Sequence, residues 1–150
     1  MNGTTQELAG RGMRLGAAII DAILMIILLI PVMLLTDMFQ QAISGQELTL
    51  TQKIIGFVAG WVIFLILHGY LLLKKGQTIG KMILKIKIVD LQGNLPNFGK
   101  LLTLRYLILS LLAQIPVAGN LVGLIDVLFI FGKERRCIHD YLAGTRVVNV

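Results

Sequence analysis

Leu15-Gly-Ala-Ala-Ile-Ile-Asp21-Ala-Ile-Leu-Met-Ile-Ile-Leu-Leu-Ile-Pro-Val-Met-Leu-Leu35 is a run of 21 residues in which Asp21 is the only charge. At about 1.5 Å per residue, such a run as a helix crosses a hydrocarbon core of about 30 Å. A cleavable signal would have a shorter apolar region followed by a small-x-small site. Here the run continues to Leu35 and is followed by Thr36-Asp37-Met38-Phe39, so retention is expected.

The rest of the composition agrees with a chain that lives in lipid. Of 150 residues, 56% are hydrophobic and 15% charged, with a mean hydropathy of +0.83, well beyond what a soluble core of this length requires. No linker, low-complexity tract or repeat divides the chain, so residues 1–150 read as one domain. The net charge of +6 falls at the ends of apolar runs, where it reports membrane orientation and contact with anionic lipid rather than nucleic-acid binding. Cys137 stands alone in a basic stretch, which excludes a disulfide framework or a cysteine-based zinc site and suits a reducing face.

A second apolar run, Ile54 to Leu73, predicts a return crossing. Between the two runs, Thr36 to Gln52 is polar, with room for a turn of interfacial helix at Met38 to Ile43. Lys74 to Lys100 carries six lysines, and within it Leu84 to Asp90 alternates apolar and charged residues as a half-exposed strand does, before the turn Leu91-Gln92-Gly93-Asn94. Thr145 to Val150 is the other β-branched run, and the two are expected to pair. Leu101 to Phe131, apolar apart from Arg105 and Asp126, would span roughly 46 Å as one helix. Pro116, Gly119 and Asn120 in its middle predict a break into Leu101–Ile115 and Leu121–Phe131, a pair that spans a thin region or re-enters. The expected fold class is therefore an all-α integral membrane protein of about four embedded helices, two long and two short in a hairpin, with a small cytoplasmic two-stranded β element.

Lysine and arginine set the orientation. Thirteen of the fourteen fall on one side and only Lys53 on the other, which places both termini and the central interval in the cytoplasm.

Arg14-x-x-Ala17-x-x-x-Asp21 at the first helix, Gly76-Gln77-Thr78-Ile79-Gly80-Lys81 after the second, and His139-Asp140-x-x-Ala143-Gly144-Thr145-x-Val147-Val148 at the end together resemble the RDD family of bacterial membrane proteins. The resemblance covers nearly the whole chain. Arg14 and Asp21 match the first two positions of the arginine and two aspartates that name the family, and the third falls on Asp126 or Asp140. The resemblance implies a bacterial inner-membrane location and a role in transport, with cation/proton antiport proposed for some members, but no defined activity for this chain.

Charges inside the bilayer are expensive, about 2.5–3.5 kcal/mol each near a helix centre on insertion scales, so each demands a partner, water or a proton. Asp21, Arg105 and Asp126 all lie an estimated 8 to 10 Å (roughly) inside the cytoplasmic boundary, counted from Arg14, Lys100 and Lys133. Arg105 is expected between Asp21 and Asp126, leaving one negative charge for a proton or monovalent cation, with Arg14 too distant to meet Asp21 unless it reaches down the helix. Two other readings stay open: a buried ionic clamp that binds nothing, and an Arg105 that snorkels to the headgroups.

Other motifs are weaker. Gly76 to Lys81 has too few residues between its glycines for a nucleotide loop and no Ser or Thr after Lys81, so Gly80 is read as a close-packing position and Lys81 as a headgroup contact. His139-Asp140 lacks the accompanying ligands of a metal site; Asp140 is expected to cap a short turn ended by Gly144 or to pair with Arg135 or Arg136. His68 reads as an interfacial histidine or a proton relay. No nucleophile has a base and a carboxylate at hydrolase spacing, and no cofactor is implied. Gly12-x-x-x-Gly16, Gly56-x-x-x-Gly60 and Gly119-x-x-x-Gly123 suit close helix packing, so a homo-oligomer is expected. The functional expectation is a transporter or transport component for a monovalent cation or proton. The alternative is a non-transporting scaffold or accessory subunit that docks partners through its basic face.

Overall fold

The computed structural model describes residues 6–115 and 118–150. Helix α1 (Arg11–Leu35) is followed by a short α2 (Met38–Ser44) and by α3 (Leu50–Lys75). α1 and α3 are the two helices long and apolar enough to cross a membrane. None of the most apolar 18-residue window of α1 is buried within the chain. Ile19, Ile23, Ile26 and Leu34 are at least half exposed, which an aqueous surface would not tolerate and lipid or another apolar surface would.

Gly76, with φ +63°, ends α3, and the chain turns through α4 (Ile79–Ile83) into β1 (Ile86–Asp90). A side chain at Gly76 would have its Cβ 2.4 Å from the Ile88 carbonyl oxygen, so glycine is required there by both conformation and space. β1 pairs antiparallel with β2 (Thr145–Asn149), Ile88 opposite Val147, as the alternation predicts. Residues before α1 extend this ribbon: the Ala9 N–H donates to the Val147 carbonyl and the Asn149 N–H to the Glu7 carbonyl. The sheet's inner face, Ile86, Ile88 and Val147, is buried against Ala17 of α1, Leu72 of α3 and Leu101. The core therefore sits at one end of the long helices, under the sheet, while their other ends carry exposed apolar surface.

The third apolar run also divides, but not quite where expected. A short helical turn α5 (Phe98–Lys100) runs into a π-helical stretch, Leu101–Leu107, and then α6 (Ile108–Leu112). α7 (Ala118–Leu128) begins three residues before the expected Leu121 and ends in a 3-10 turn, Phe129–Phe131. Gly119 and Asn120 thus lie inside α7 rather than in the reversal, and the turn expected at Pro116 lies outside the described residues. Gly119 backs so closely onto Ala113 that a Cβ would sit 2.4 Å from its carbonyl oxygen. α8 (Ile138–Ala143), closed by Gly144 at φ +63°, leads into β2.

Of the described glycines, Gly80 makes the closest approach, an added Cβ lying 2.2 Å from the Ala17 carbonyl oxygen of α1. Gly80→Ala is expected to cost roughly 1–3 kcal/mol by overpacking. Gly69→Ala, which would meet only ordinary contacts near 4.0 Å, is expected to leave the unfolding midpoint in detergent unchanged or raised. Equal midpoints for the two variants would contradict this packing.

Candidate functional site

At the sheet end of the helices, three polar clusters form around three aspartates. The first is centred on Asp140, which is fully buried. Its Oδ2 takes a hydrogen bond from Arg14 Nη2 at 2.5 Å and from the Cys137 backbone N–H at 3.0 Å. Its Oδ1 takes one from Arg105 Nη1 and one from the Thr145 hydroxyl at 3.3 Å. Arg105 Nη1 also donates to Thr145 Oγ1 at 2.8 Å, and Arg14 Nη1 donates to the Arg135 carbonyl. Both arginines are buried, at 7% and 3% exposure. The π-helical stretch explains how an arginine on an apolar run arrives here, since Arg105 and Leu101 are its two buried residues. Burial pushes the Asp140 carboxyl up, but the charges of Arg105, His139 and Arg14 outweigh it and hold the group well below the usual carboxylate range.

The second cluster surrounds Asp21. Its Oδ2 accepts from the Thr78 hydroxyl at 2.5 Å and its Oδ1 from the Gly80 backbone N–H at 2.7 Å. The missing Gly80 side chain is what allows this approach. His68, 1% exposed, accepts the Ile79 N–H on Nδ1 at 3.3 Å, which puts the ring proton on Nε2. That Nε2 lies 3.9 Å from Asp21 Oδ1 and has no hydrogen-bond partner among the described residues.

The third joins α7 to α8. The Asp126 carboxylate accepts the His139 backbone N–H at 2.9 Å on Oδ1 and lies 2.6 Å from His139 Nδ1 through Oδ2. Because an ionised carboxylate only accepts, Nδ1 carries the proton and Nε2 faces Asp140 Oδ1 at 3.9 Å. Donor atoms of Asp126, Cys137 and His139 lie within 4.8 Å of one another, a grouping the sequence reading did not foresee. Both Asp126 oxygens are engaged by His139, however, and burial pushes the Cys137 thiol up to about 11, despite the neighbouring Arg14. The grouping is therefore a hydrogen-bonded junction rather than a set of open ligands.

The structure thus separates residues that were expected together. Asp21, Arg105 and Asp126 do not form one cluster: Arg105 meets Asp140, and each of the other two aspartates has its own histidine. Arg14 does not reach Asp21. Asp140 does form a capping arrangement with Cys137 at the start of α8, but its ion pairs are with Arg14 and Arg105 rather than Arg135 or Arg136; the Arg136 guanidinium bonds its backbone carbonyl instead. Gly80 packs closely as expected, Gly144 closes α8, and Lys81 Nζ lies 3.4 Å from Thr78 Oγ1. Thr78 was overlooked, although its place between Gly76 and Gly80 was the available signal.

Exposed apolar helices with a layer of buried ion pairs at one end define a small, mostly helical, membrane-associated protein. The chain belongs to the RDD family, whose model matches residues 8–144. No curated protein and no solved structure matches it.

The His139 ring is held below the ordinary histidine range by burial first and the Arg105 charge second, opposed in part by Asp126. An unfolded chain therefore binds this proton at a higher pH than the folded one, so the stability His139 confers is present above about pH 6.5 and is lost as the pH falls below it. Lowering the pH from about 7.5 to about 5.5 should reduce the unfolding midpoint in detergent, and His139→Gln should flatten that slope. An identical slope in the variant would rule out His139 as the source.

Proposed function

We propose that the chain is a multi-pass protein of the bacterial inner membrane that works as a transporter, or a transport component, for a monovalent cation or proton. α1 and α3 span the bilayer. The α5–α6 segment and α7 form the embedded hairpin, and both termini and the sheet face the cytoplasm. The sheet, the start of α1 and the end of α3 lie together with nearly all the lysines and arginines, and Lys53 lies at the opposite end of α3, an asymmetry that supports this orientation.

The observation that carries the reading is the state of Asp21. It stands two turns inside the most apolar helix, its side chain 16% exposed, with no lysine or arginine within 4.0 Å among the described residues. Its hydrogen-bond partners are two neutral donors, and His68 Nε2 stands 3.9 Å away without a hydrogen bond to it. Burying a lone carboxylate at this depth is costly. A proton on Asp21, or a cation in contact with its carboxylate, removes that cost, and alternation between the two is exchange. His68 is poorly placed to take the proton itself, because protonating Nδ1 breaks its bond from Ile79. Arg14 and Arg105 hold the layer together, and Asp126 is the secondary candidate, its carboxylate already hydrogen-bonded by His139.

The glycine pairs support a homo-oligomer. In each pair one member is used within the chain, Gly16 against Leu84, Gly56 against Met38 and Gly119 against Ala113, while Gly12, Gly60 and Gly123 have nothing among the described residues within 4 Å of an added Cβ. The open members suit a second copy.

Proteoliposomes carrying the wild type are expected to move protons in response to Na⁺, K⁺ or Li⁺, and Asp21→Asn to abolish that movement while folding normally. Absence of exchange with all three ions in the wild type would overturn the transport reading and favour the scaffold that docks partners through its basic cytoplasmic face.

A further inference from the structure

Between the start of α1, the π-helical stretch and the end of α7 lies a cavity of about 280 Å³. Its polar wall includes Arg11, Arg14, Lys81 and Arg105, and its apolar wall includes Leu15 and Ala18 of α1 and Val127 and Phe131 of the α7 end. The charges on this wall do not cancel. Arg14 and Arg105 share the carboxylate of Asp140, and the buried Asp126 carboxylate beside His139 supplies a second negative charge, so the unbalanced charges on the wall are those of Arg11 and Lys81. Arg11 spends its guanidinium on the uncharged carbonyls of Ile130, Phe131 and Gly132. Neither Arg11 nor Lys81 has an acidic partner within 4.0 Å among the described residues. Arg105 is 3% exposed, and its Nε, like the adjacent Tyr106 hydroxyl, has no hydrogen-bond partner among the described residues.

Two cationic side chains without acidic partners, on the wall of a partly apolar cavity where Arg105 Nε is also unpaired, suit an anion, whose charge offsets the cost of keeping theirs away from bulk water. A free inorganic anion would make no use of the apolar wall. We propose that this cavity binds the phosphate-bearing headgroup of an anionic lipid, with the phosphate at the arginines and Lys81 and an acyl chain lying along Leu15, Ala18, Val127 and Phe131. The cavity volume suits a headgroup, and the exposed apolar faces of α1 and α7 continue from it for the chains. A fork of guanidinium donors matches phosphate oxygens in pairs, and basic pockets between helices on a cytoplasmic face attract such headgroups. The proposal rests on the bilayer placement but not on transport, since it is read by binding in detergent and survives a failure of the flux assay.

The test uses the full chain purified in a mild non-ionic detergent, with phosphatidylglycerol, phosphatidylcholine or inorganic phosphate added, followed by native mass spectrometry and the thermal unfolding midpoint. Phosphatidylglycerol is expected to stay bound and raise the midpoint, with phosphatidylcholine and phosphate ineffective. Arg11→Gln and Lys81→Gln, each at a side chain outside the Asp140 cluster, are each expected to weaken phosphatidylglycerol binding roughly fivefold. Equal binding of the two lipids, or unchanged affinity in both variants, would overturn the proposal. Stabilisation by inorganic phosphate equal to that by phosphatidylglycerol would assign the cavity to a free anion and overturn the lipid assignment.

Discussion

Two guanidiniums meet on one buried carboxylate at the point where the main elements of this molecule come together. Asp140 receives Arg14 from the first turn of α1, Arg105 from the π-helical stretch, and donors from Cys137 and Thr145 on either side of α8. Three segments far apart in sequence, the start of α1, the π-helical stretch and the α8 region, thus meet at one pair of oxygens. A buried ion pair is weak evidence for net stability, since desolvation offsets much of the attraction, but removing one partner leaves a bare charge and is strongly destabilising. The cluster thus acts mainly on specificity: it fixes which ends of which helices come together and where the sheet lies beneath them. The apolar contacts of Ala17, Leu72, Ile88 and Val147 then close around an arrangement already chosen.

That arrangement distributes charge unevenly, and the unevenness is where function enters. The cavity wall carries Arg11 and Lys81 without an acidic partner within 4.0 Å among the described residues, while Asp21 of α1 has no lysine or arginine within 4.0 Å among them. Asp126 stands between these cases, a carboxylate held by two hydrogen bonds from His139. On the functions proposed above, one face of the layer takes an anion and the other a cation or proton. Both lie at the same end of the helices, close to the sheet.

The long elements were legible because their signals are local. Twenty apolar residues in succession read as a helix of membrane length, and alternation in Leu84–Asp90 with the β-branched run Thr145–Val150 reads as two strands, which pair with Ile88 opposite Val147. The depth of Asp21, Arg105 and Asp126 was equally local and placed all three in one layer. Their partners were not legible. Arg105 meets a residue 35 positions away on a helix of six residues, and a π-helical turn, which no periodicity announced, directs it there. Asp21 is satisfied by a hydroxyl and a backbone N–H, donors that carry no charge and leave no mark in a count of charged residues. Counting charges by depth found the layer, but pairing within it was decided by backbone geometry.

A double-mutant cycle between Arg14 and Asp140 tests the central claim most directly, using Arg14→Gln, Asp140→Asn and the combination, each measured by reversible unfolding in detergent. If the carboxylate holds the helices in register, the two substitutions should be non-additive, with a coupling of about 0.5–3 kcal/mol. Additive effects would mean that the two groups do not depend on one another, and would contradict the account.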